Sequence, residues 1–370
     1  LDFKNLSALN LLTKIDGLGP AKILNLISKF HNPLDVFSST KKELCSVDLI
    51  NEISAKKIQL TASKLIENEK VFQNELEKVS KQNFKLLTFF DSGYPKILKN
   101  IYAPPLILYI WGELKKDDNF SIAVVGTRLP TAYGKKITEK LSSELSLNNI
   151  TIVSGLARGI DSIAHRSALK SGGRTIAIIG SGLDRIYPPE NKELAKAISE
   201  NGAVISEYPL GTKPDAQNFP KRNRIISGLS LGSMIVETNI NGGAMQTAAY
   251  ALDQGREVFA VPGNLGSPQS EGTNTLIQRG EAKLIKNAED ILVELNLKLK
   301  PVVGKNIPKP DVELNVFEQK ILDSLNNEPI QIDSLASKLN YSTSDCLVSL
   351  LSLEFKGLVK QLPGKQFVKM

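Results

Sequence analysis

Apolar positions follow two rhythms along the chain. Between residues 120 and 295 they form short unbroken runs at Ile122–Val125, Ile150–Val153, Thr175–Ile179, Ala203–Ser206, Met234–Glu237 and Glu257–Val261. Stretches with helical spacing separate them, such as Gly134–Leu147, Glu190–Glu200 and Ala244–Gln254. Continuous apolar strands alternating with helices predict an α/β domain whose parallel sheet is covered on both faces. Residues 1–80 instead read as helical throughout. Leu9, Leu11, Leu12 and Ile15 lead into Gly17-Leu18-Gly19-Pro20-Ala21-Lys22-Ile23, and Leu24, Leu26, Ile27 and Phe30 follow. This is a helix, a tight Gly-x-Gly turn and a second helix. A weaker echo without the glycines runs from Val47 to Ile58.

The paired hairpins resemble a helix-hairpin-helix module, whose turn amides face a DNA phosphate. The plain alternative is a structural hairpin. Residues 84–112 are punctuated by Pro95, Pro104 and Pro105, and Leu106–Trp111 reads as a strand leading into the main sheet of 84–295. Residues 296–313, with Pro301, Pro308 and Pro310, read as a linker. In 314–370, two helices begin near Ile332 and Ser342, and a hairpin turns at Pro363-Gly364. That order is a winged helix-turn-helix. Its second helix carries Asp345 and Glu354 and no cation before Lys356, which suits a protein partner better than the major groove.

Length and charge narrow the picture modestly. The 370 residues allow two or three domains, and 41% hydrophobic content supports a sizeable core. A net charge of +7 is compatible with a polyanionic partner. The two cysteines, Cys45 and Cys346, and two histidines, His31 and His165, argue against a zinc site or disulfide framework and fit the cytoplasm. No apolar run reaches membrane-spanning length. No signal peptide is visible, although the chain opens on Leu1 rather than methionine, which leaves room for a short leader.

Candidate chemistry collects where the strands of a parallel sheet end, since ligands bind at that edge. The most informative segment is 151–166. A strand passes into the loop Ser154-Gly155-Leu156-Ala157-Arg158-Gly159 and then into a helix opened by Asp161. Such a loop presents backbone N–H groups to an anion. The other strand ends give Gly126-Thr127-Arg128, Gly180-Ser181-Gly182, Asn241-Gly242-Gly243 and Pro262-Gly263-Asn264. After Glu207-Tyr208-Pro209 comes Phe219-Pro220-Lys221-Arg222-Asn223-Arg224. Glycines, cations and the aromatic Phe219 form the chemistry of single-strand binding. Some arginines are alternatively structural, pairing with Asp161 or Glu237, and Arg158 is either a ligand contact or a loop brace.

Enzymatic motifs fit poorly. Gly126 to Gly134-Lys135-Lys136 has too long a gap for a phosphate-binding loop of the Walker type and no hydroxyl after Lys135. Gly180-Ser181-Gly182 lacks the third glycine of a dinucleotide fingerprint, and Ser154 does not sit in a nucleophile elbow. Asp161 and His165 share one helix face, which allows a general base but suits a helix-start carboxylate and a loop-holding histidine better. No metal site and no cofactor is expected.

These motifs together resemble the DNA processing protein A family (DprA, also called Smf). The resemblance rests on Ala123–Arg128, Val153–His165, Asp184–Asn191, Ser206–Pro209, Phe219–Ile226 and Arg256–Gly263. It covers roughly 90–290 strongly and the termini loosely. It implies an extended Rossmann-like domain binding single-stranded DNA, a helical N-terminal domain and a C-terminal winged helix. It further implies a non-catalytic homodimer that protects incoming DNA and loads the RecA recombinase onto it during natural transformation. The DNA pocket carries over to Gly126, Thr127, Arg128, Ser154, Gly155, Arg158, Lys221, Arg222, Asn223, Gly242 and Gly243. Gly159, Phe219 and Arg224 join them from the residue reading. Gly242–Thr247 departs from the Ser-Gly-Ser-Leu-Ile-Thr of many members, which puts a hydroxyl contact there in doubt. Leu276-Ile277 is a candidate for the dimer surface. The rival reading is a nucleoside monophosphate phosphoribohydrolase, whose motif places a catalytic Glu three residues after a Gly-Thr pair. Here Gln246 precedes Thr247 and Tyr250 takes the Glu position. A third reading is a nucleotide-sensing regulator without a DNA role.

Overall fold

A computed structural model describes residues 1–295, 314–325, 330–339, 341–355, 358–362 and 366–369. The expected linker at 296–313 and the expected turn at Pro363-Gly364 lie outside the described residues. The chain divides into two compact units, Leu1–Pro301 and Val302–Met370.

The first unit opens with six helices: α1 (Phe3–Thr13), α2 (Pro20–Phe30), α3 (Pro33–Ser38), α4 (Lys41–Cys45), α5 (Glu52–Ala62) and α6 (Leu65–Lys81). Gly17 takes φ +81° in the turn between α1 and α2, where glycine has no steric penalty. In the second hairpin, between α4 and α5, Leu49 adopts φ +70° instead. A side chain there is uncommon, which is why the repeat reads only faintly from the sequence.

The sheet strands follow, with their helices between them. They are β1 (Phe84–Thr88), α7 (Lys96–Lys99), β2 (Ile107–Gly112), β3 (Ser121–Val125), α8 (Ala132–Leu147), β4 (Thr151–Ser154), α9 (Ile160–Lys170) and β5 (Thr175–Ile179). Next come α10 (Lys192–Glu200), β6 (Gly202–Ser206), α11 (Asn218–Gly228), β7 (Gly232–Ile235), α12 (Gly243–Asp253) and β8 (Glu257–Ala260). The unit closes with α13 (Glu271–Gln278), β9 (Lys283–Leu284) and α14 (Ala288–Glu294). Strand order is β1-β2-β6-β5-β4-β3-β7-β8-β9. Strands β3 to β9 pair in parallel, whereas β2 runs antiparallel to β6 and β1 antiparallel to β2. The parallel core that the alternating pattern predicts is thus extended at one edge by two antiparallel strands, giving a mixed sheet with a parallel majority. The chain steps from β3 to β6 in one direction, then returns to lay β7 against the free side of β3. Strand order thus reverses between β3 and β7, which places a crevice at their C-terminal ends.

Alternating strand residues feed two cores. Ile122 and Val124 of β3 pack with Leu141 and Leu145 of α8 and Ala164 of α9. Ala123 and Val125 face the other way, toward Ile225 of α11 and Ala248 of α12. The helical N-terminus does not stand apart. Leu9, Leu26 and Ile58 share one core with Tyr109 of β2, Val204 of β6 and Leu194 of α10.

The second unit holds α15 (Val316–Ser324), β10 (Ile330–Gln331), α16 (Ile332–Leu339), α17 (Thr343–Phe355), β11 (Val359–Leu362) and β12 (Gln366–Lys369). Its antiparallel strands are ordered β10-β12-β11 around a core containing Ile321, Leu335, Leu350 and Phe367. This is a winged helix. Its first helix, α15, starts on an Asn315–Glu318 capping box, a signal additional to the two helices expected.

Asp118 pins the opposite, N-terminal edge of the sheet. Its carboxylate accepts from Arg174 Nε and Nη2 at 2.9 Å each, and from Thr151 Oγ1 at 3.1 Å. It is almost fully buried. Asp118→Ala strands the Arg174 guanidinium, and a urea titration is expected to show a loss of about 3 kcal/mol.

Candidate nucleic-acid interface

A cavity of about 730 Å³ opens at the switch point. Gly126, Thr127 and Arg128, following β3, form one side, and Thr238 and Asn239, following β7, form the other. Phe219, Arg222 and Asn223 reach it from the first turns of α11, and Gly242 and Gly243 from the start of α12. Asn223 ties the two helices together, its Nδ2 donating to Gly243 O at 3.3 Å. Residue types suited to close backbone approach thus converge with amide and cationic side chains. Thr238, Asn239, Gln246 and Tyr187 also line the cavity, and the sequence does not single them out. Tyr187 lies within the Asp184–Asn191 motif, but nothing in its spacing points toward the strand ends.

The cavity stands on a buried charged cluster. Arg222 is 5% exposed; its Nη1 donates to Gly155 O at 2.6 Å and also to Ile178 O. Gly155 gives this guanidinium its room, since a Cβ there would collide with Nη1. Burial lowers the Arg222 pKa to about 10, with Asp161 opposing, so the side chain stays cationic at neutral pH. Asp161 accepts from the Gly155 and Ala157 amides at 3.2 and 3.4 Å. Its pKa is pushed upward by burial, against the pull of Arg222. Two amides of the glycine loop therefore already hold an anion belonging to the chain. Ser154 Oγ is likewise used internally, donating to Val124 O at 2.6 Å. At the end of the loop Gly159 takes φ +76° and packs against the Thr127–Arg128 backbone, where no Cβ fits.

The Arg128 loop is held from the other side. Thr127 N donates to Glu237 O at 2.6 Å, and Thr131 donates to the Glu237 carboxylate through N and Oγ1 at 2.9 and 2.5 Å. Glu237 thus engages a threonine, not an arginine. Arg128 itself is exposed, with its guanidinium 5.8 Å from the Phe219 ring centroid. Phe219 in turn lies 5.9 Å from Tyr187, tilted by 38°. Arg128, Phe219 and Tyr187 make a continuous cation–aromatic wall at the mouth of the cavity.

Arg158 lies beside this cavity: with Arg128, Gly155, Tyr187, Phe219 and Arg222 it lines a smaller adjoining pocket. Arg158 Nε contacts Glu190 Oε1 at 2.5 Å, with both side chains about half exposed. Such a pair contributes little stability and yields easily to a competing anion. Lys221 and Arg224 do not line this cavity. They lie across α11, where Arg224 Nη2 donates to both Glu207 oxygens at 2.6 Å.

His165 is fully buried. Its Nδ1 lies 2.6 Å from Thr175 Oγ1, which donates onward to Ile152 O at 2.8 Å, so Nδ1 carries the proton. Burial and Arg222 lower its pKa to about 3. The histidine braces α9 against β4 and β5. Among the described residues, no cluster of His, Cys, Asp and Glu suits a metal ion, and no helix is long and apolar enough to cross a membrane.

The fold and this cavity define a Rossmann-like sheet protein with a glycine-lined crevice at its strand ends, flanked in sequence by helix-hairpin-helix and winged-helix elements. The chain belongs to the DNA recombination-mediator protein A family, whose sequence profile matches residues 85–296. A SAM-like helix-hairpin-helix tandem matches 9–64 and the DprA winged helix domain matches 308–365. Protein Smf of Synechocystis is 36% identical over 79% of this chain and 82% of its own length. DNA processing protein DprA of Bacillus subtilis is 43% identical over 64% of this chain and 81% of its own. The X-ray structure of DprA from Streptococcus pneumoniae superposes with a TM-score of 0.64 at 35% identity, covering 80% of this chain and 98% of that one. DprA from Helicobacter pylori, described for its single-stranded DNA binding mode, gives 0.52 at 34% identity, covering 58% of this chain and 95% of that one.

The His165 environment sets a pH dependence. Because the folded pKa lies below the unfolded value near 6.5, the unfolded chain binds the extra proton between the two. Stability contributed by neutral His165 is present above pH 6.5. It falls by about 1.4 kcal/mol per pH unit as pH drops toward 3. Urea midpoints of His165→Gln should decline less steeply than wild type over this window.

Proposed function

We propose that the chain is a non-catalytic clamp for single-stranded DNA that protects incoming strands and helps load the RecA recombinase onto them in natural transformation. The observation that carries this reading is the Arg128–Phe219–Tyr187 wall beside a glycine-lined crevice. Arg128 supplies an exposed cation for phosphate, and the two rings offer stacking faces that tolerate any base. The single-stranded DNA binding of the Helicobacter pylori relative supports the same ligand. The RecA partnership, a homodimer and a cytoplasmic location belong to the proposal. So does a division into a helical domain at 1–80, a DNA-binding domain at 84–295 and a winged helix at 314–370.

The carboxylates around the cavity favour binding over hydrolysis. Asp161 is engaged by loop amides and Glu237 by Thr131. The position that a phosphoribohydrolase gives to its catalytic Glu is Tyr250. A glycosidic transition state needs a free carboxylate beside its positive charge.

Fluorescence anisotropy with labelled oligonucleotides, single- and double-stranded, across a salt series tests the reading. Single strands should bind more tightly, with affinity falling linearly on log–log axes. Arg128→Ala should weaken binding about tenfold or more and reduce the slope by about 0.7, one phosphate contact. Unchanged affinity and slope would refute the pocket assignment. Phe219→Ala should lower affinity while leaving the salt slope intact.

A further inference from the structure

Arg158 stands at the mouth of the crevice, but its charge is not unopposed. The small pocket that it shares with Arg128 and Arg222 has no carboxylate in its lining. One reaches Arg158 from beside the pocket: Glu190 Oε1 accepts from Arg158 Nε at 2.5 Å, with both side chains about half exposed. The fold holds this pair together. Glu190 lies in the short 3-10 turn Pro189–Asn191, and its neighbour Asn191 is buried. Asn191 Nδ2 donates to Leu156 O and to Ser162 Oγ, each at 2.8 Å, which fastens the turn to the loop that carries Arg158. Tyr187, from the aromatic wall and the same segment, interacts with the same guanidinium. The carboxylate is therefore anchored beside the arginine that a strand phosphate would need. An exposed pair of this kind is weak enough to exchange, yet it reduces what a phosphate gains from the arginine.

We propose that Glu190 is an internal competitor for strand phosphate, which holds Arg158 in reserve and sets how tightly the crevice retains single-stranded DNA. A strand stacked on Phe219 with one phosphate near Arg128 presents another of its phosphates to Arg158 at high local concentration. That phosphate exchanges with the Glu190 carboxylate, and only hydrogen bonds and ion pairs change. The exchange costs the Arg158–Glu190 pair, so the strand is held less firmly than Arg128 and Arg158 together would allow, and it leaves faster. This inference rests on the reading of the crevice as the strand site.

Fluorescence anisotropy of the full chain with labelled oligodeoxythymidylate tests it, on wild type, Glu190→Gln, Arg158→Ala and the double variant. Glu190→Gln should tighten binding about two- to fivefold, the range set by the strength of an exposed ion pair. Arg158→Ala should weaken it. Removing any negative charge near the crevice attracts a polyanion from a distance, and a gain of that origin survives in the Arg158→Ala background. A competitor acts only through its partner, so in that background the gain from Glu190→Gln should disappear. Glu190→Ala should repeat the gain of Glu190→Gln, and thermal melts identify any variant that has lost its fold. If Glu190→Gln and Glu190→Ala bind no tighter than wild type, or gain equally with and without Arg158, the proposal is overturned. Strand binding that Arg128→Ala weakens in the same assay leaves the strand-clamp reading standing in that case. If wild type binds no single strand, both fall.

Discussion

The buried guanidinium of Arg222 is the constraint on which the site depends. It joins the carbonyls at the ends of two adjacent strands, Gly155 after β4 and Ile178 in β5, while projecting from α11, the helix that crosses from β6 to β7. A cation buried to this degree persists only with partners, and a neighbouring carboxylate, Asp161, supplies the opposing charge. Asp161 in turn fastens the glycine loop through two amides. The loop therefore arrives at the cavity already folded around its own anion. Its role is to position Arg222 and the Arg128 loop more than to cradle a phosphate with free N–H groups.

This arrangement separates rigid support from exposed contact. Arg222, Asp161, Glu237 and Ser154 are consumed by internal bonds and hold strand ends in register. The side chains of Arg128 and Phe219 stand clear of such bonds, and the Arg158–Glu190 pair is half exposed to solvent. A polyanion meeting this edge finds a preorganised crevice with exposed cations at its mouth, which lowers the ordering cost of binding. The proposed strand-binding role rests on that division.

Much of the sheet is legible in the sequence because strands buried on both faces leave unbroken apolar runs. The observed β5 coincides with the run Thr175–Ile179, and its neighbours shift by a residue or two. The edge strand β1 leaves no such run, because Phe84–Thr88 is only partly covered and carries Lys85. The basic run 221–224 shows where sequence reasoning ends. Adjacent cations look alike along a chain, but a helix turns them apart. Lys221 and Arg224 share one face at a spacing of three, while Arg222 and Asn223 point to the crevice. Asp161's internal use is also hidden until the fold is known, since the same spacing suits a catalytic carboxylate.

The central claim is that bases stack on the aromatic wall beside Arg128. Photo-crosslinking of the full chain to a single strand bearing 5-bromouracil, followed by peptide mapping, tests it most directly. The account predicts adducts at Tyr187 or Phe219 that disappear in high salt. Efficient crosslinking that leaves both residues unmodified, with adducts confined to the winged-helix unit, would contradict it.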